Sequence, residues 1–176
     1  TGVLGDTINS APLYVAGSPF GYTDNGYAAF RASTAGCTPM VYVGANDGML
    51  HGFEATTGEE KFAYVPTSVY KNLSRLTANN YAHRFFVDGD PIAGDVRIAA
   101  KVTGSNPGGW TTVLVSTLRK GGQGVFALDI TDPSTFTQTP TNAANTVLWE
   151  FTDTNDRYLG YTYSQVQIVK MANDKW

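Results

Sequence analysis

The chain has 176 residues, a net charge of −3, and is 42% hydrophobic, 12% aromatic and only 15% charged. That apolar content excludes a disordered tail, and the low charge, against about 25% in ordinary globular domains, suits short strands and many turns. There is no basic patch for nucleic acid or anionic lipid, and no apolar run approaches the ~20 residues a membrane helix needs.

The first residue is Thr1, which reads as a processed chain or a piece of something longer. The lead strand is expected in "NSAPLYV", residues 9–15. A long connection rich in Gly, Tyr and Ser follows, from Gly17 to Pro39. It contains Cys37, the single cysteine, so no disulfide can form within the chain. Cys37 reads either as a partly buried free thiol or as a half-cystine whose partner lies outside this piece.

Residues 41–60, "VYVGANDGMLHGFEATTGEE", read as strand, tight turn, strand, turn. Val41, Tyr42 and Val43 favour strand. Asn46-Asp47-Gly48 tolerates the positive φ of a hairpin turn, so Gly48 is expected in the left-handed region. Met49, His51 and Phe53 then alternate with Leu50, Gly52 and Glu54 between two faces. Phe62 and Tyr64 begin a third strand of the same period. Within the insertion over 66–86, Thr67 or Ser68 can cap a short helix with Val69, Tyr70, Leu73 and Leu76 on one stripe.

The pattern then repeats. "DGDPIAGDV" (88–96) leads, and "TVLVSTLRKGGQGVFALDITDP" (112–133) has the hairpin grammar with a longer turn. Residues 132–146 show no periodicity and read as an exposed loop. Val147, Trp149 and Phe151 alternate as Phe62 and Tyr64 do. "YSQVQIV" (163–169) stands where a third copy begins. Pro12 to Pro91 is 79 positions and Pro91 to Val166 is 75. Four antiparallel strands per repeat is the blade of a β-propeller, which closes with ~4–8 blades. The expected architecture is therefore all-β: one propeller domain over 1–176, incomplete, with blades at about 9–65 and 90–151, the start of a third at 159–176, and a short inserted helix.

The residues that could carry chemistry are few. His51 on its strand and His83 after the short helix have no nucleophile spacing around them, and each reads as a packed, hydrogen-bonded histidine. "RKGGQG" (119–124) lacks the Walker spacing and the Ser or Thr after Lys. Asp88-Gly89-Asp90 and Asp153-Thr154-Asn155-Asp156 are fragments of a calcium loop that lack its further acids or its glycine. They read as solvated turn acids. No catalytic, cofactor or metal residue is expected. Tyr22, Tyr27 and Phe30, in the 17–39 connection, are the leading partner-contact residues, because aromatics with a polar edge anchor interfaces; the equal alternative is that they cap the neighbouring blade.

"VYVGANDGMLHGFEATTGE" is similar to the repeat of quinoprotein propellers. Their adjacent-cysteine disulfide is not available to a chain with one cysteine. "MVYVGANDGMLHGFEATTGEE", "AHRFFVDGDPIAGDV", "KGGQGVFALDITDP" and "VLWEF…LGYTYSQVQIVKM", in this order, resemble the propeller domain of the PilC/PilY family of type IV pilus proteins. That resemblance implies a secreted, non-enzymatic module of a Gram-negative cell surface or pilus tip, exported through the periplasm. It implies support of pilus assembly against retraction, and attachment to host or abiotic surfaces. Pilins and minor pilins are the implied partners. A calcium loop, where family members carry one, is expected beyond Trp176, and Asp90 departs from the Thr or Ser expected there. The alternatives are a fragment of a quinone-dependent dehydrogenase and a periplasmic scaffold propeller.

Overall fold

The computed structural model describes residues 4–98 and 107–176. Two four-stranded antiparallel sheets account for nearly all the strand. The first runs β1 (Leu13–Val15), β2 (Met40–Gly44), β3 (Leu50–Glu54) and β4 (Glu60–Tyr64), in that order across the sheet. The second repeats the order with β5 (Ile92–Arg97), β6 (Trp110–Thr117), β7 (Gly124–Asp129) and β8 (Val147–Thr152). Each sheet is a blade in which the chain steps from one edge to the other, as the repeat in the sequence requires. The expected second repeat includes residues 99–106, which lie outside the described residues.

Register follows from the alternation. Tyr42 sits opposite Gly52 and Leu114 opposite Leu128, so each blade turns one apolar face to the other. Met40, Tyr42 and Leu50 of the first blade meet Leu114, Phe126 and Leu128 of the second in one buried cluster. The β2–β3 turn closes through Gly48 at φ 99°, and the Asp47 carboxylate accepts the Met49 N–H at 3.1 Å. In the longer turn of the second blade, a Cβ on Gly121 would lie 1.7 Å from the Phe86 carbonyl oxygen. Only glycine lets that turn touch the neighbouring connection.

Three connections differ from the sequence reading. The 17–39 segment contains a helix, α1 (Tyr27–Thr34), with Tyr27, Phe30 and Thr34 buried along one stripe. Residues 132–146 are not a bare loop. Asp132 caps a 3-10 turn at Pro133–Thr135, and Thr139 caps α3 (Pro140–Thr146), which has proline in its first turn. The missing signal was capping chemistry, because a helix of about two turns shows no apolar period. The insertion after β4 is 3-10 at Thr67–Val69 and Ser74–Thr77 around α2 (Tyr70–Leu73), and Pro66 occupies the N-cap position instead of Thr67 or Ser68. Val69 is buried in the inter-blade cluster and the partly buried Leu73 and Leu76 pack against it, while Tyr70 faces out.

The segment expected to open a third blade, 159–176, has no strand partner among the described residues. Val166 and Ile168 nevertheless alternate with exposed neighbours and pack on the outer face of the second blade, against the cluster of Val96, Val113, Val115 and Ala127. Without a ladder, period-two burial alone does not make a strand.

Candidate interaction surface

The sequence-predicted contact residues are brought together, but facing inward. Tyr27 and Phe30 are 1% and 0% exposed, clustered with Trp110 of the second blade. The Tyr27 hydroxyl donates to Asp95 at 2.7 Å, and Thr112 donates to the other Asp95 oxygen at 2.7 Å. Burial, then the bond and the charge of Asp95, raise the Tyr27 pKa well above its ordinary value. Trp110 returns a bond from its Nε1 to the Asn25 carbonyl at 3.0 Å. Tyr22 stacks on Trp110 at 5.6 Å and meets Tyr27 edge-on at 5.0 Å and Trp176 at 5.3 Å. Such ring pairs add ~0.5–1.5 kcal/mol beyond their buried area.

The loop of the first blade is thus locked onto the second. Tyr27 and Phe30 form that lock and offer no ring to a partner. Tyr22 keeps a partly exposed edge, beside a hollow of about 590 Å³ that Phe20, Ala28, Arg31 and Ala32 help to line. Lys170 ties the same loop to the C-terminal segment through Asp24. Sequence reasoning missed Trp110 and Trp176. Trp110 lies three strand positions before the recognised Val113, on the opposite face, so alternation could have found it. Trp176 has no periodic context.

A polar seam joins the inner edges of the blades. Asn9 donates from its backbone and its side chain to Asp88, and the Ala11 N–H donates to Asp90 at 2.8 Å. Each pair is 79 positions apart, so equivalent residues of successive repeats touch. Arg119 adds an ion pair to Asp90 at 3.3 Å. Asp88 is therefore not a solvated turn acid: it is buried and bonded within the protein. At the outer rim Glu150 accepts from Thr67 N at 3.1 Å and from the Tyr64 and Thr67 hydroxyls. A groove of about 570 Å³ lies there, lined by Phe62, Tyr70 and Phe136.

His51 is buried between Asp47 and Glu60, and His83 faces Asp6. Cys37 is half-buried and its thiol donates to the Thr131 carbonyl at 3.6 Å. Burial, and then Asp132, push its pKa up, which makes it a poor nucleophile. Among the described residues no three His, Cys, Asp or Glu side chains converge as a metal-holding group, and no helix is long and apolar enough to cross a membrane.

Blades of this order, clamped edge to edge, define part of a β-propeller. The chain belongs to the PilY1 beta-propeller domain family, which it matches over residues 4–176. It is 43% identical to the type IV pilus biogenesis factor PilY1 homolog of Xylella fastidiosa over 100% of its own length, and 39% identical to the type IV pilus biogenesis factor PilY1 of Pseudomonas aeruginosa over 99%. In each case it spans 14% of the relative. The crystal structure of the Pseudomonas aeruginosa PilY1 C-terminal domain superposes with a TM-score of 0.67 at 33% identity, covering 93% of this chain and 30% of that one.

Proposed function

We propose that this segment is a rigid, non-enzymatic part of a type IV pilus biogenesis factor, holding pilus components at the pilus tip or cell surface. The carrying observation is the aromatic lock. Tyr22, Tyr27, Phe30 and Trp110 spend their apolar area on fixing one blade to the next, as a scaffold that presents loops requires. The names of its relatives support the pilus role. The finer reading is that the intact propeller supports assembly against retraction and promotes attachment to host or abiotic surfaces, with pilins and minor pilins as partners. It places the parent outside a Gram-negative cell after export through the periplasm. Calcium enters through a loop of the full-length propeller and not through these residues. The single Cys37 argues against a quinone-dependent dehydrogenase, many of which carry a disulfide of adjacent cysteines.

The test is genetic, in the full-length parent. Trp110→Ala, which unlocks the blades, should lower the number of surface pili in cells that retract normally. The loss should be smaller in cells whose pili cannot retract. Unchanged pilus number in both backgrounds, with the variant exported and folded, would remove the lock from the functional account.

A further inference from the structure

Residues 4–9 lie on the first blade without burying an apolar side chain. Leu4 is 47% exposed and Ile8 54%, so the hydrophobic effect does not hold them down. Polar contacts do. The Gly5 N–H donates to Asp47 Oδ2 at 2.9 Å, Asn46 N donates to the Asp6 carbonyl at 3.0 Å, and Asn46 Nδ2 donates to the Asp6 carboxylate at 3.1 Å. The Thr7 hydroxyl donates to the Gly44 carbonyl at 3.3 Å, and Asn9 bonds Asp88. Asp6 of this strap and Asp47 of the β2–β3 turn that receives it each also face a histidine, and the chain has only two.

His51 Nδ1 lies 2.5 Å from Glu60 Oε1 and its Nε2 lies 3.0 Å from Asp47 Oδ2. Ionised carboxylates only accept, so both contacts are hydrogen bonds only when the ring carries two protons. His83 Nε2 is 2.9 Å from Asp6 Oδ2. Among the other charges, Lys120 lies over the Phe85 ring that meets His83 edge-on at 5.0 Å. Lys61, beside Glu60 on β4, turns to Glu54 and Glu59, and Arg119 turns to Asp90. The Phe53 ring stacks on His51 at 5.9 Å.

We propose that residues 5–9 form a latch whose grip on the first blade tightens as pH falls, with His51 as its sensor. Protonated, His51 fixes the Asp47 carboxylate that receives Gly5. When the proton leaves, one nitrogen of His51 presents a lone pair to a carboxylate. Asp47 then loses the cation that fixes its carboxylate under Gly5, and this one of the strap's several anchors weakens. Burial opposes charge on His51, but the bonds to Asp47 and Glu60 outweigh it and raise its pKa above 6.5. A raised pKa gives a contribution that is complete below 6.5 and is lost as pH climbs through the higher folded value. Release uncovers Asn46, whose side chain then has a free amide to bond. The proposal is independent of the role in pilus biogenesis.

The experiment is amide hydrogen exchange on the full-length parent protein from about pH 5.5 to 8, corrected for intrinsic rates, the range in which histidine charge changes. Protection of the Gly5 and Asn46 amides should fall about fivefold across this range, the scale of a partly exposed ion pair. It should be flat in the His51→Gln variant. A flat wild-type profile, or an undiminished slope in that variant, overturns the proposal. Should His51→Gln leave core amides such as Leu114 unprotected, Glu60→Gln decides, since Glu60 is exposed and its charge helps to hold the proton on His51. A reduced slope supports the latch, and an unchanged slope refutes it.

Discussion

Gly48 shows how one residue can be fixed twice. Its φ of 99° strains any side chain, and a Cβ there would lie 2.5 Å from Leu73 Cδ2. Gly48→Val should therefore destabilise the fold by at least about 1 kcal/mol. A chemical-denaturation midpoint equal to wild type would contradict this. The φ was legible in the sequence, because Asn-Asp-Gly between alternating strands has few other solutions. The clash with Leu73 was not, because it depends on where a distant helix docks. Tyr27 gives a second case. Asp95 is fully buried and accepts from Tyr27 and Thr112. Tyr27→Phe keeps the ring packing and removes one donor, which should cost about 1–3 kcal/mol. If thermal unfolding of Tyr27→Phe matches wild type, water has replaced the hydroxyl and the lock is purely apolar.

Among the elements, the strands were readable and the connections were not. Alternation at Val41–Val43 and Val113–Val115 names the faces before any fold is known, since a strand in a two-faced blade has a strict period. The same logic marks Leu114 as central: it lies in the inter-blade cluster with Tyr42 and Phe126. Leu114→Ala should cost about 2–5 kcal/mol, because two rigid sheets cannot collapse onto the cavity. A loss below 1 kcal/mol in equilibrium unfolding would show that the sheets slide together. The 17–39 connection was legible as aromatic and long. Whether those rings face solvent or Trp110 depends on contacts 80 or more residues away, such as Asn25 with Trp110, which local pattern does not encode. The acids Asp88 and Asp90 hid for the same reason: their donors Asn9 and Ala11 belong to the previous repeat.

At the scale of the whole molecule, one blade face is satisfied and another is open. The inner faces meet, but beyond the second blade a hollow of about 1060 Å³ is lined by Val113, Val125, Leu148 and Trp149, partly roofed by Val166 and Ile168. Trp149 and Phe151 remain 47% and 41% exposed. An apolar surface of this kind normally meets another. The isolated segment should therefore self-associate, with sedimentation showing species above 18.9 kDa that Val125→Lys reduces. A monodisperse, dye-silent monomer would contradict the expectation.

The seam between equivalent residues of the two repeats also bears on behaviour under load. Asn9 with Asp88 and Ala11 with Asp90 join the blades by side-chain bonds at a constant offset of 79 positions. A pull along the chain must break that seam, together with the aromatic lock and the shared apolar cluster, before it can peel a blade, and these contacts fail together. Stretching the intact propeller between two beads should then give a staircase and not a ramp. For this repeat each tread would be about 260 Å of new contour, 79 residues at ~3.3 Å each. Asp88→Ala should lower the force of the corresponding step without changing its length.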